Sequence, residues 1–186
     1  MRARNSGASW GWVARALHWS MAGLILFQIG LGVAMVYGVA DPLRQFALYQ
    51  THKSWGFVLF ALALIRIAWW WIGGPRPGLG ALPRWRRRLA EGVQALFYAL
   101  MLWMPVSGWI SASAAPVQDV LGIPNMVFGW FALPDPWVPG DARIAGLAGT
   151  AHLLGAVLLG LALGAHVAGA LGHARDGILA RMTFGK

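Results

Sequence analysis

Five histidines and one arginine embedded in apolar sequence are the residues of this chain best suited to chemistry within a membrane. His152 and His166 lie fourteen residues apart in one apolar run. At about 100° per residue, fourteen helical steps return to within roughly 40° of the starting direction, so the two share a face. At about 1.5 Å per residue they stand roughly 21 Å apart along the axis. His18 and His52 occupy two other apolar runs. There is no cysteine, so disulfides and thiolate sites are excluded and metal chemistry falls to histidine, methionine or carboxylate. A histidine inside a bilayer is expensive unless partnered, and marks function by default. For any one of them the plain alternative is a neutral ring hydrogen-bonded to a neighbouring helix.

The elements that carry these side chains follow from hydropathy. The chain is 58% hydrophobic and only 11% charged, against roughly 25% charged in soluble proteins. Four runs are long enough to cross a hydrocarbon core that takes about 20 residues: approximately Leu17–Val39, Ser54–Ile72, Gly92–Ile110 and Leu147–Leu171. The expectation is an all-α integral membrane four-helix bundle, one domain over residues 1–186. Trp10, Trp12, Trp69, Trp70, Trp71 and Trp109 suit headgroup depth. The net charge of +9 comes from arginines at the ends of apolar runs, a loop pattern and not a nucleic-acid surface. The N-terminus, the 73–91 connection and the tail hold eleven Lys and Arg, while the other two connections hold three (Arg44, Lys53 and Arg143). This asymmetry predicts both termini in the cytoplasm. Gly38-Val39-Ala40 resembles a signal cleavage site, but the run before it exceeds the usual 7–15 residues and cleavage would discard His18. The first span is expected to be retained. The proline-rich loop Ser111–Gly146 is too long for a structureless connection and is expected to fold back as a periplasmic lid with one short helix.

This topology sorts the histidines by depth. His52 and His152 are expected at the outer starts of their spans, His18 near the cytoplasmic start of the first, and His166 roughly 21 Å deeper than His152. Two level pairs result, His52 with His152 outside and His18 with His166 inside. Zinc prefers four ligands at one point. Two two-histidine sites suit haem iron, for which the porphyrin supplies four nitrogens and the protein two axial ligands. Two haem b groups are expected. Arg66 lies fourteen residues after His52, on roughly its face and near the depth of His166. A buried guanidinium needs an anion, here a propionate of the inner haem; the alternative is snorkelling to the cytoplasmic surface. His173 should lie beyond the hydrocarbon edge, as a surface or propionate-contacting residue. Gly32, Gly155, Gly160 and Gly164 offer bare helix surface for a flat macrocycle or for helix packing. Pro105 and Gly108 predict a kink in the third span, which holds no histidine.

With these residues laid out, the chain resembles the bacterial cytochrome b-561 family over essentially its full length. The matching stretches are RALHWSMAGLILFQIGLG around His18, HKSWGFVLFALALIRIAWW from His52 past Arg66, MPVSGWI in the third span, and AHLLGAVLLGLALGAHVAGALGHARDGILARM at the end. The resemblance implies a four-helix, di-haem b-type cytochrome of the bacterial inner membrane, with axial ligation on His18, His52, His152 and His166. It also implies quinone as one redox partner and, in at least one branch, superoxide as the outer donor.

Three functions are weighed. The leading one is a stand-alone electron-transfer protein between a small periplasmic donor, superoxide or another, and membrane ubiquinone, a superoxide:quinone or quinol oxidoreductase. Lys53 and Arg44 suit anion steering, but Asp41, Asp119, Asp135 and Asp141 leave the outer loops net negative. The second is a membrane anchor subunit for a periplasmic hydrogenase- or dehydrogenase-like redox protein. The third is a haem-free transporter or scaffold.

Overall fold

The computed structural model describes residues 2–78, 83–172 and 178–183. Four long helices dominate it: α1 (Trp12–Val33), α2 (Pro42–Ile72), α3 (Arg84–Ser113) and α5 (Ala142–Gly172). Each is long and apolar enough to cross a membrane, and the fold is all-α in class. Between α3 and α5 lie the short helix α4 (Pro116–Leu121) and a two-stranded antiparallel hairpin, β1 (Asn125–Val127) with β2 (Phe131–Leu133). A last short helix, α6 (Ile178–Thr183), follows α5.

The helices overrun the apolar runs from which they were predicted. α2 and α5 have 31 residues each, about 46 Å at 1.5 Å per residue against a hydrocarbon core of about 30 Å. Hydropathy registers only the apolar part, whereas the helix starts where the chain is capped. At α2 the Asp41 side chain accepts the Arg44 amide, with Pro42 at the first helical position. Asp141 likewise accepts the amides of Arg143 and Ile144 at α5. His52 and His152, expected at the starts of their spans, therefore each lie nearly three turns inside a continuous helix. The turn between α1 and α2 is correspondingly short. α1 ends in a π-helical turn, Ala34–Gly38, and Gln45 Nε2 donates to the Met35 carbonyl there, satisfying a helix-end acceptor.

Around the bundle, α1 packs on α2, α2 on α3, and α3 most extensively on α5. α5 makes no comparably close backbone approach to α1 or α2. The α3–α5 seam is tight because its glycines remove bulk. A Cβ on Gly155 would come 2.7 Å from Met104 Sδ, and one on Gly149 would come 3.1 Å from Ser111 Oγ. Gly155, a candidate for macrocycle packing, thus serves helix packing, while Gly160 and Gly164 face nothing within 4 Å. The fully apolar core is small: Ile25, Leu100 and Leu159, with Leu59, Phe97 and Met104 against it. Leu26, Leu64, Leu154 and Leu161 face outward, as expected where lipid is the solvent.

The segment between α3 and α5, called the lid below, packs its hairpin against α2 and α3. Its hairpin turns through Phe128 (φ 49°) and Gly129 (φ 75°), and two consecutive positive φ angles are what a tight hairpin turn requires. Phe128 tolerates this backbone because it is pinned from outside. Its amide donates to Ser54 Oγ at 2.9 Å, and its ring meets Trp55 edge-on at 5.1 Å. Beneath the hairpin, Asn125 is fully buried (0% exposed). Its Nδ2 donates to Ser113 Oγ and Asp135 Oδ1, and its Oδ1 accepts from Lys53 Nζ at 3.1 Å. The opposite end gathers the termini: Arg15 Nη1 and Trp19 Nε1 donate to the Thr183 and Met182 carbonyls, each at 3.0 Å.

Asn125→Leu would remove the closer acceptor of the Lys53 ammonium, leaving it Gln118, and a donor from each of Ser113 and Asp135, at about 1–3 kcal/mol for a buried group left unpaired. The lid, and not the bundle, should loosen. Limited proteolysis of the purified protein should cut within residues 114–141 faster in the variant than in the parent, with the long helices intact. An unchanged cleavage rate would show that the lid is held by something else.

Candidate functional site

Three helices bring four histidines into two pairs. His52 of α2 and His152 of α5 lie with ring centres 6.2 Å apart and planes at 77°. His18 of α1 and His166 of α5 lie 6.1 Å apart at 59°. The first pair is at the lid side and the second at the side of the termini. Both partnerships are those expected from depth, and α5 supplies one ring to each. The shared face of His152 and His166 puts the pairs about 21 Å apart along α5.

The spacing of the rings is informative. A metal–imidazole bond is about 2.0–2.1 Å and the ring centre lies roughly 1.1 Å beyond the nitrogen, so two imidazoles on opposite sides of one metal have centres about 6.3 Å apart. Both pairs have this separation. Among the described residues no three His, Cys, Asp or Glu side chains converge, so each pair presents two imidazoles as its ligands of these types. This donor set suits a metal whose other ligands arrive with it, as in a porphyrin.

His152 is the most firmly oriented of the four. Its Nδ1 lies 2.9 Å from the Met104 carbonyl of α3 and 3.2 Å from Ser107 Oγ. A carbonyl only accepts, so Nδ1 carries the proton and Nε2 is left with a free lone pair, the form that binds metal. The Ser107 hydroxyl donates to the same Met104 carbonyl at 3.1 Å, which leaves its oxygen available to the imidazole. Ser107 is buried (2% exposed). Gly108 completes the clamp, since a Cβ there would stand 3.0 Å from His152 Cε1. Sequence reasoning gives α3 no part in the site. The available signal is Ser107-Gly108 following a helix-interior proline, and it stays silent until packing shows which ring it faces.

His52 is held differently. Gln28 Nε2 of α1 donates to the His52 carbonyl at 2.9 Å, while His52 Nδ1 is buried without a hydrogen-bond partner. Gly32 leaves room for the ring, with a Cβ position 3.5 Å from His52 Cε1. At the other pair, Phe97 meets His166 edge-on at 5.4 Å and Trp19 meets His18 at 5.2 Å. Arg66 of α2 belongs here, with Nη2 3.4 Å from His18 Nδ1. Lys53, next to His52, turns away under the lid toward Asn125 and Gln118. His173 lies outside the described residues.

Two imidazoles at each of two depths in a lipid-facing bundle are a donor set that could hold a metal bringing its other ligands with it. Similarity to known proteins agrees. Cytochrome b561 homolog 2 of Escherichia coli (strain K12) is 28% identical over 148 residues, 80% of this chain and 75% of that protein. The model of the prokaryotic cytochrome b561 family matches residues 9–185, all four long helices included, and the chain therefore belongs to that family, as a multi-pass b-type cytochrome of the bacterial inner membrane.

Proposed function

We propose that the chain binds two b haems and carries electrons across the membrane between a small periplasmic donor and membrane quinone. His52 and His152 hold the haem at the lid side, taken as periplasmic, and His18 and His166 hold the one at the cytoplasmic side. One observation carries this reading: two imidazole pairs, each at the separation of two rings sharing a metal, stand about 21 Å apart on a common helix. Bound haem iron supplies reversible one-electron chemistry. With both histidines of a pair holding the iron, each site would be directed to electron transfer and away from oxygen binding.

Arg66 fits the cytoplasmic site on the same chemistry. A guanidinium has donors only, so its contact with His18 Nδ1 leaves the ring proton on Nε2. Ligation through Nε2 requires the opposite tautomer, so Arg66 must turn to another acceptor when the site is filled. A propionate is the anion at hand. On the periplasmic side, Lys53 is engaged by Asn125 Oδ1 at 3.1 Å and Gln118 Oε1 at 3.5 Å. It is thus less free to steer superoxide than its place beside His52 suggests.

A second reading, an anchor subunit for a periplasmic redox enzyme, is favoured by the apolar exposure of the lid: Val120 and Trp130 are 83% and 82% exposed, with Leu121 and Phe131 beside them.

Single-ligand variants test the pairing. His52→Ala and His152→Ala should each lose the same haem, and His18→Ala and His166→Ala the other, so each leaves about half the α-band of the reduced-minus-oxidised spectrum. Loss of the same component from His52→Ala and His18→Ala would break the proposed pairs.

Stopped-flow mixing with a short-chain ubiquinol and, separately, with superoxide tests the partners. The purified chain alone should be reduced by at least one of them within the mixing experiment. If neither reduces it, while an added periplasmic dehydrogenase does, the anchor reading replaces the stand-alone one.

A further inference from the structure

The two histidine pairs differ in what stands behind them. Behind His152 are two oxygens, the Met104 carbonyl at 2.9 Å and Ser107 Oγ at 3.2 Å, both acceptors of the Nδ1 proton. Beside His18 is a cation, Arg66, at 3.4 Å. An acceptor on Nδ1–H draws the proton away from the ring and makes the imidazole a more electron-rich ligand. That favours the oxidised, more positive metal and lowers the reduction potential. A positive charge beside a site does the reverse, because it favours the state with one more electron, and Arg66 adds one at the terminal-side pair whether it stays on His18 or turns to a propionate. The other pair is about 21 Å away, and the Coulomb interaction falls with distance, so Arg66 acts more strongly on its own pair.

Lys53 adjoins the other pair in sequence, and its charge must be counted. Its ammonium is bonded to Asn125 and Gln118, and both of those side chains donate to the Asp135 carboxylate. The cluster holds one positive and one negative charge, with little net field at His52.

We infer that Ser107 with the Met104 carbonyl, at the lid-side pair, and Arg66, at the terminal-side pair, set the lid-side haem at the lower potential, so that electrons fall from lid side to terminal side. Ser107 is thereby a positioning residue that acts through His152. This rests on the two-haem reading above, and adds to it the order of the two potentials and the groups that impose it. Each transfer moves one electron from the lid-side iron to the terminal-side iron and involves no proton at either ligand.

The test is a spectroelectrochemical titration of the purified haem-loaded protein. The parent should show two one-electron components. His166→Ala, which retains the lid-side haem, should titrate near the lower of the two. Ser107→Ala removes one acceptor, and should raise the lower component by a tenfold change in the reduction equilibrium, about 59 mV for one electron. The upper component should stay in place, and Ser107→Thr, which keeps the hydroxyl, should restore the parent value. Arg66→Leu should lower the upper component more than the lower one. If Ser107→Ala fails to retain the lid-side haem, His166→Ala and Arg66→Leu still decide the order. The inference is overturned if the haem kept by His166→Ala titrates at the upper potential, if Ser107→Ala moves both components equally or neither, or if Arg66→Leu shifts the lid-side haem at least as much as the other. Two components in the wrong order would sink the inference and leave the two-haem reading standing, whereas a single component would sink that reading itself.

Discussion

An imidazole in a bilayer must find a partner, and this requirement organises the bundle. α5 carries two of them on one face, so two other helices must each present a ring at a matching depth. α1 and α2 do so, while α5 itself leans on α3. The division of labour follows. α3 has no histidine, and its glycine-lined seam with α5 brings the Met104 carbonyl and Ser107 close enough to orient His152. Without the close approach at Gly108 and Gly155, that ring would have no fixed tautomer, and the pair with His52 would depend on rotamer chance.

Most of this arrangement is legible in the amino-acid sequence, for a physical reason. Membrane spans announce themselves by composition, because lipid admits only backbone that satisfies its own hydrogen bonds. Four histidines and one arginine in apolar runs are correspondingly rare and easy to see. The pairing of His52 with His152 and of His18 with His166 follows from residue counts along helices, and Arg66 stands at the pair to which its depth assigns it. The helix starts are a different matter. Hydropathy cannot see a helix that continues beyond the hydrocarbon, and the true signals are Asp41-Pro42 and the cap at Asp141. The contacts behind the rings are equally invisible to it. Which carbonyl faces which imidazole depends on how α3 and α5 mesh, and no residue spacing within one helix encodes that.

The lid shows how a polar cluster can serve an apolar fold. Lys53, Asn125, Gln118 and Asp135 form a chain of hydrogen bonds that joins α2 to the hairpin one residue after His52. Ser54 adds its own link by accepting the Phe128 amide. The segment that covers the lid-side pair is thus fastened to the helix that supplies one of its rings. Trp130 and Phe131 are exposed at the edge of this hairpin.

The most direct test of two bis-histidine haems is a count combined with a spin state. Pyridine haemochrome analysis of the purified chain, set against quantitative amino-acid analysis, should give two haems b per chain. The oxidised protein should give only low-spin ferric EPR signals, as expected when every axial position is taken. One haem per chain, or a high-spin signal from an intact preparation, would contradict the account.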